Sequence, residues 1–247
     1  MMPPRFFCPQ PIAAGRPFSL PAAVAHHAVR VLRLGVGDEL VLFDGSGGEW
    51  FGRIGAIGGA SDVRVELDGH DPVSRESPLR TVLVQALLAG DKMDWLVQKA
   101  VELGVTRIVP LETERTVVRL SGERATRRVE HLRQVVIAAC EQCGRNLVPE
   151  VAPLTRMMSF LGALGGTEEA ARLILAPGSP RSLCALDRET RELVLLVGPE
   201  GGWSEAELGA AEAARFAAVG LGPRILRAES AGIAALAALQ AHAGDFR

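Results

Sequence analysis

From Leu193 to Val197 the chain carries five apolar residues in a row, then runs straight into Gly198-Pro199-Glu200-Gly201-Gly202 and Ser204-Glu205-Ala206-Glu207. An unbroken apolar run of this length suits a strand buried on both faces, as in a parallel sheet. Ser204 and Glu207 have the spacing of a capping box, in which each side chain satisfies the other residue's amide. A helix is therefore predicted to begin at Glu205. Strand, glycine-rich loop and helix together place a ligand site at the carboxyl edge of the sheet. Glycines at 198, 201 and 202 let backbone approach that ligand with no Cβ in the way.

The loop is no phosphate cradle. No Gly-Lys-Ser or Gly-Lys-Thr follows it, and it lacks the Gly-x-Gly-x-x-Gly fingerprint. Pro199 removes an amide that an anion would use, and Glu200 would repel a pyrophosphate. A ligand with a positive centre fits better, the sulfonium of S-adenosylmethionine being one; a tight turn holding nothing is the plainer alternative. A second bend follows in Leu221-Gly222-Pro223-Arg224-Ile225-Leu226-Arg227. Glu229 then opens an alanine-rich helical stretch, where the helix dipole favours an acidic side chain. Read alone, that segment is equally an ordinary capped helix with solvated arginines.

Upstream, Thr81–Leu88 repeats the buried-strand pattern. Lys92–Leu103 carries Met93, Leu96, Val97, Ala100 and Val101 at helical spacing and closes at Gly104. Arg107–Leu111 and Ala171–Leu175 read as strands, and Arg127–Cys143 as a long helix. Strands alternating with helices indicate an α/β domain with a mostly parallel sheet, expected over residues 77–247. Residues 1–71 have another texture. From Phe18 to Leu67 they read as short strands, Glu39–Phe43, Glu49–Ile57 and Val63–Leu67, with a hairpin turn at Asp44–Gly48. That pattern suggests a small β-barrel. The polar segment holding Pro72 and Pro78 is the expected boundary.

At 48% hydrophobic and 23% charged residues, the 247-residue chain has a folded composition. No stretch approaches the roughly eighteen apolar residues of a membrane span. The amino terminus has no long apolar core of a secretion signal, so a cytoplasmic protein without a membrane partner is expected. Cys8, Cys140, Cys143 and Cys184 are then expected as reduced thiols. Cys140-x-x-Cys143 lies inside a predicted helix with no second pair beside it, so no metal site is expected. A net charge of −2 argues against a protein that grips nucleic acid with a generally basic surface. Any RNA contact would come from local patches.

The Gly-Pro-Glu-Gly-Gly loop and the Leu-Gly-Pro-Arg-Ile-Leu-Arg segment resemble those of the SPOUT class of knotted methyltransferases. Further segments are similar, in order, to the family that methylates N3 of a uridine in small-subunit (16S) ribosomal RNA. They are Arg5-Phe6-Phe7, His27–Leu34 with Gly37-Asp38, Asp44–Gly47, Lys92-Met93-Asp94-Trp95, Lys99–Val105, Glu114-Arg115-Thr116 and Glu141–Arg145. One departure is Ala228, where the family has threonine, so that position is given no hydrogen-bonding role; Ser230 keeps a hydroxyl.

The resemblance implies a trefoil knot in the carboxyl-terminal segment, a PUA-like barrel in front that helps bind RNA, and a homodimer with active sites at its interface. It implies S-adenosylmethionine as methyl donor, held at Leu175 and Ala176, at Val197, Gly198, Pro199, Glu200 and Gly201, and at Leu221, Gly222, Ile225 and Leu226. Uracil N3 attacks a methyl group only once its proton is removed. Glu200 and Glu229 are the candidate bases, and Arg227 the candidate stabiliser of charge on the uracil oxygens. Candidate contacts to ribosomal RNA, within the small subunit, are His27, Arg30 and Arg33 in the first domain. Arg115, Arg119 and Arg124 add to them from the densest basic stretch, and Arg145 and Asn146 from the end of the long helix. A non-enzymatic ribosome-associated RNA-binding protein, and a knotted methyltransferase aimed at another atom, are the alternatives.

Overall fold

The computed structural model describes residues 3–164 and 170–246. Met1 and Met2, part of the segment read as lacking a secretion signal, lie outside them. The chain divides into two units, one made of the residues up to Glu76 with Cys140–Val148, the other of Ser77–Ala139 and Pro149 onward.

In the first unit, β1 (Arg5–Phe7), β2 (Phe18–Ser19), β3 (Glu39–Phe43), β4 (Glu49–Gly59) and β5 (Asp62–Asp71) form one sheet in the order β1-β3-β4-β5-β2. The β3–β4 hairpin turns through Gly45, Gly47 and Gly48, all with positive φ, the backbone such a turn demands. Along β5, Val63 and Val65 point inward while Asp62, Arg64 and Glu66 are exposed. Three register shifts between β4 and β5 bend the strands around a core that includes Phe6, Leu40, Leu42 and Ile54.

Strands alone were expected between Phe18 and Leu67, but the structure places a helix there, α1 (Ala22–His26), continued by a π-helical turn over His27–Val31. The cause is local. Ala22, Ala23, Ala25 and Ala28 favour helix, and Pro21 stands before the first turn, where its missing amide breaks no helical bond. Ala25 and Ala28 also bury against the sheet's core.

Polar contacts bind Cys140–Val148 into this unit. Arg5 donates to the carboxylate of Glu49 and to Oδ1 of Asn146 (2.6 Å). Arg75 donates to Glu49 and to the carbonyl of Gly144, both at 2.9 Å. Arg145 pairs with Glu76.

The second unit runs β6 (Arg80–Ala86), α2 (Lys92–Glu102), β7 (Val105–Glu112), α3 (Gly122–Cys143, whose last four residues group with the first unit), β8 (Glu150–Val151), β9 (Thr155–Arg156) and α4 (Met157–Ala163). It continues with β10 (Ala171–Leu175), β11 (Glu192–Val197), α5 (Glu205–Ala213), β12 (Ala217–Val219) and α6 (Ala228–Ala243). The sheet order is β12-β10-β11-β6-β7-β8, every pairing is parallel, and β9 pairs with β7.

Both sheet faces are covered, which is why β6 and β11 read as continuous apolar runs. Val84 and Leu196 lie in a core with Met157 of α4, Trp203 and Ala211 of α5. On the other face α2 packs against α6, and Gly232 of α6 comes so close that an added Cβ would meet Gln85 at 3.1 Å. The capping box forms as expected: Glu207 N donates to Ser204 Oγ at 3.2 Å and Ser204 N to Glu207 Oε2 at 2.9 Å. Helix α3 begins at Gly122 rather than Arg127, with Glu123 in its first turn where the dipole favours it. No described helix is long and apolar enough to cross a membrane.

All four cysteines are free. Burial pushes the thiols of Cys8 and Cys140 up to about 12, which leaves them protonated and unreactive at neutral pH.

Candidate active site

Strands β10 and β11 are parallel and end on the same side of the sheet. Just past β11, Gly202 (φ +69°) donates to the Pro199 carbonyl at 2.9 Å and closes a turn. This brings Trp203 back over the strand ends, where its indole N–H donates to the Leu175 carbonyl at 2.9 Å. The ring crowds Gly198, where an added Cβ would lie 3.1 Å from the indole. A third segment arrives after β12: Ala176 N donates to Val219 O (3.0 Å) and Gly220 N to Arg181 O (2.9 Å). Gly220 lies so close to Ser179 that a Cβ would meet its carbonyl at 2.7 Å. Three loops thus meet at one edge through backbone.

Between them opens a cavity of about 410 Å³, within the range of roughly 300–1,000 Å³ usual for small-molecule sites. Leu175, Val197, Gly198, Pro199, Glu200, Ile225 and Leu226 line it, together with Arg227 and Glu229. Ala176, Leu221 and Gly222 line an adjoining hollow that shares Leu175 and Leu226. Gly201 lines neither. Its carbonyl accepts from Arg115 (3.2 Å), and an added Cβ would meet the Cβ of Arg115 at 3.0 Å, so that glycine serves the fit of one loop against another.

Lys92, on the first turn of α2, falls in a resembling segment but was given no role, and it lies between the two carboxylates of the cavity. Its Nζ lies 3.4 Å from Glu200 Oε1 and 3.7 Å from Glu229 Oε1. Two carboxylates share one ammonium. The second oxygen of Glu229 is buried and has no hydrogen-bond partner among the described residues, in a side chain only 12% exposed. A buried acceptor is costly unless a water or a ligand meets it. Trp203 and Pro177 also line the cavity and were missed. Lys92 carried a signal, as one of only two lysines in the chain.

The arginines divide. His27, Arg30 and Arg33 are exposed in the first unit, on and just after the π-helical turn, and Arg33 holds φ +59°. In the second unit Arg124 is exposed, whereas Arg115 binds Gly201, and Arg119 binds Glu112 (2.7 Å) and the Glu114 carbonyl (2.6 Å). Arg145 and Asn146 are buried, 4% and 2% exposed, and engage Glu76, Arg5 and the Val73 carbonyl inside the first unit. Those two brace the first unit, and Asn146 also lines a hollow with Val73 and Arg75. No cluster that would hold a metal ion exists among the described residues.

Comparison with known proteins assigns the class. Residues 75–240 match the family described as RNA methyltransferase domain, and residues 20–68 the RNA methyltransferase PUA domain. The chain thus carries an RNA methyltransferase domain and an RNA methyltransferase PUA domain. Ribosomal RNA small subunit methyltransferase E of Synechocystis is 33% identical over 90% of this chain and 72% of its own. That of Bacillus subtilis is 30% identical over 93% and 92%. Among solved structures, ribosomal RNA small subunit methyltransferase E of Neisseria gonorrhoeae bound to S-adenosyl methionine superposes with TM-score 0.92, 38% identity and full coverage of both chains. A Legionella pneumophila methyltransferase in complex with the same cofactor gives TM-score 0.94 and 34% identity, again over both whole chains.

The chain belongs to the ribosomal RNA small subunit methyltransferase E family, S-adenosylmethionine-dependent enzymes of SPOUT-type fold that methylate uridine N3 in 16S ribosomal RNA.

Proposed function

We propose that the family's reaction is carried out here in the cavity at the ends of β10 and β11, with Glu229 as base, Arg227 as oxyanion stabiliser and Glu200 as a partner of the donor's positive charge. The observation that carries this reading is the buried, unmatched Oε2 of Glu229 at the cavity wall.

Bound there, S-adenosylmethionine supplies an electrophilic methyl group on a positively charged sulfur. The residues present suit such a ligand. Glu200 and Glu229, both held near Lys92 in a largely apolar hollow, offer carboxylate oxygens to a sulfonium, while Lys92 and Arg227 balance the charge of the lining. Gly198 and Trp203 give a flat, Cβ-free wall beside it. Glu229 Oε2 takes the N3 proton, so that the nitrogen's electron pair becomes available for the new N–C bond. Lys92 holds the other oxygen of that carboxylate in place. Arg227, exposed at the N-cap of α6 and lining the cavity, supplies positive charge where negative charge spreads onto the uracil oxygens.

We read the substrate as ribosomal RNA within the small subunit and the compartment as the cytoplasm. A homodimer is supported by α6, whose outer face exposes Ala234 and Ala241, and by Trp95 on the adjoining α2, 47% exposed. RNA contacts fall to His27, Arg30 and Arg33 in the first unit and to Arg124 in the second.

The test is Glu229→Gln in single-turnover methylation of small ribosomal subunits that lack the mark. The rate is expected to fall by about a hundredfold or more, with S-adenosylmethionine affinity by calorimetry within a few fold of the parent. An unchanged rate removes Glu229 from the base role.

A further inference from the structure

A second cleft in the catalytic unit, of about 540 Å³, opens between the loop after β6, the segment after β7 and the amino-terminal half of α3. Its floor is apolar: Leu88, itself 2% exposed, with Val118 and Leu120. Its wall is one face of α3. Arg124, Arg127, Arg128 and His131 follow the i, i+3, i+4, i+7 spacing that stacks side chains on a single stripe.

The four are not equivalent. Arg128 and His131 both engage Asp94 of α2, at 2.9 and 2.6 Å, and Arg128 also reaches the Gly90 carbonyl at 3.3 Å. Arg128 neutralises the carboxylate beside the cleft, and both residues brace its wall. Arg127 has only a 3.6 Å approach to Glu123, with both side chains well exposed, a contact of little energetic weight. Arg124 makes no ion pair or hydrogen bond among the described residues. Two guanidinium groups are therefore available above an apolar floor. That combination is complementary to one nucleotide, its phosphate on the arginines and the face of its base or ribose on Leu88, Val118 and Leu120.

Position decides which nucleotide. The sheet order β10-β11-β6-β7 puts the cleft at the same carboxyl edge as the methyl-donor cavity. The strands that lead into the two sites are one to three strand spacings apart, about 5–15 Å. A single short segment borders both, Gly90 lining the cleft and Lys92 the cavity. We propose that this cleft is a subsite for the nucleotide next to the methylated uridine in the RNA strand, gripped through its phosphate by Arg124 and Arg127 and tolerant of base identity. The floor carries no side-chain donor or acceptor to read a base edge, so the subsite contributes affinity and register rather than sequence choice. This rests on the reading of the neighbouring cavity as the methyl-transfer site.

The experiment pairs a protein change with an RNA change. Arg124→Ala with Arg127→Ala is compared with the parent for binding to a short uridine-centred RNA across a salt series, and for methylation of unmodified small subunits. The KM for subunits is expected to rise about tenfold or more while kcat and S-adenosylmethionine affinity stay near the parent's. The slope of log K against log salt should shrink by about 0.7, one single-strand phosphate contact. A methylphosphonate at the linkage flanking the uridine should weaken binding to the parent and leave binding to the double variant unchanged. An unaltered KM and salt slope, or an equal methylphosphonate penalty in both proteins, overturns the subsite while the methyl-transfer reading stands. A parent that binds RNA but methylates no subunits overturns both.

Discussion

The indole N–H of Trp203 donates to the carbonyl of Leu175 at 2.9 Å, joining the loop after one strand to the end of its neighbour. Gly198 lies under the same ring, where a Cβ would come within 3.1 Å of the indole. Trp203→Phe keeps most of the apolar contact but leaves the Leu175 carbonyl buried and unmatched, a cost of about 1–3 kcal/mol. Gly198→Ala pushes directly on the indole, and overpacking of this kind costs about 1–3 kcal/mol. Each variant should melt about 2–12 °C below the parent, at roughly 2–4 °C per kcal/mol for a chain of this size. Each should also bind S-adenosylmethionine about tenfold more weakly, since about 1.4 kcal/mol lost from the site corresponds to that factor. Calorimetry of unfolding and of donor binding checks both.

Lys92→Met removes the ammonium that Glu200 and Glu229 share. The two carboxylates then repel without a mediator, and Glu229 loses the contact that fixes its direction. Turnover is expected to fall about ten- to a hundredfold, part of the contribution usual for a well-placed base. Lys92→Arg should recover part of it by restoring the charge. If Lys92 only supports the fold, the Met variant will lose stability and RNA affinity together while kcat at saturation is unchanged.

Local chemistry strong enough to act without tertiary help was legible in the chain. The Ser204–Glu207 box and the run Leu193–Val197 need nothing beyond their own neighbours to declare a helix start and a buried strand. The loop of Gly198–Gly202 and the bend before Arg227 were readable as one site only through family resemblance, because what joins them is backbone pairing of β10 with β11 and β12. The strands β8 and β9, two residues each, and β12, of three, carry too little pattern to be seen at all. The alanine-rich α1 was hidden inside a stretch whose flanks are strands. Arg145 and Asn146 look like surface residues in the sequence, yet Glu76 and Arg5 draw them inward from far along the chain. Lys92 escaped because its two carboxylates lie on other loops.

The cysteines should react in two classes. Cys184 is exposed and Cys143 partly so, whereas burial raises the thiols of Cys8 and Cys140 to about 12. At pH 8 only a trace of the latter pair is thiolate, and thiolate is the reactive form. Titration of the native protein with a chromogenic disulfide reagent should label Cys184 first and leave Cys8 and Cys140 unmodified until denaturant is added. Rapid native labelling of Cys140 would show that the end of α3 opens readily.

Glu49 gives the first unit an acid-sensitive brace. Burial alone would raise its carboxyl, but hydrogen bonds and charge from Arg75 and Arg5 outweigh burial and hold it down at about 2. In the unfolded chain the same group titrates in the ordinary carboxylate range, so on acidification the unfolded state binds the proton first. The stabilisation is fully present above that range and is lost as pH falls through it toward about 2. Glu49→Gln removes the charge while keeping the shape. At pH 7 it should lower stability by about 1.5–3 kcal/mol, the usual worth of hydrogen bonds to a charged group. The gap between parent and variant should narrow steadily between about pH 5 and pH 3, because protonation of the parent reproduces the substitution. Denaturant titrations at a series of pH values measure this directly. A gap that stays constant down to pH 3 would mean that Arg5 and Arg75 hold Cys140–Val148 through Gly144 and Asn146 alone, with the carboxylate a bystander.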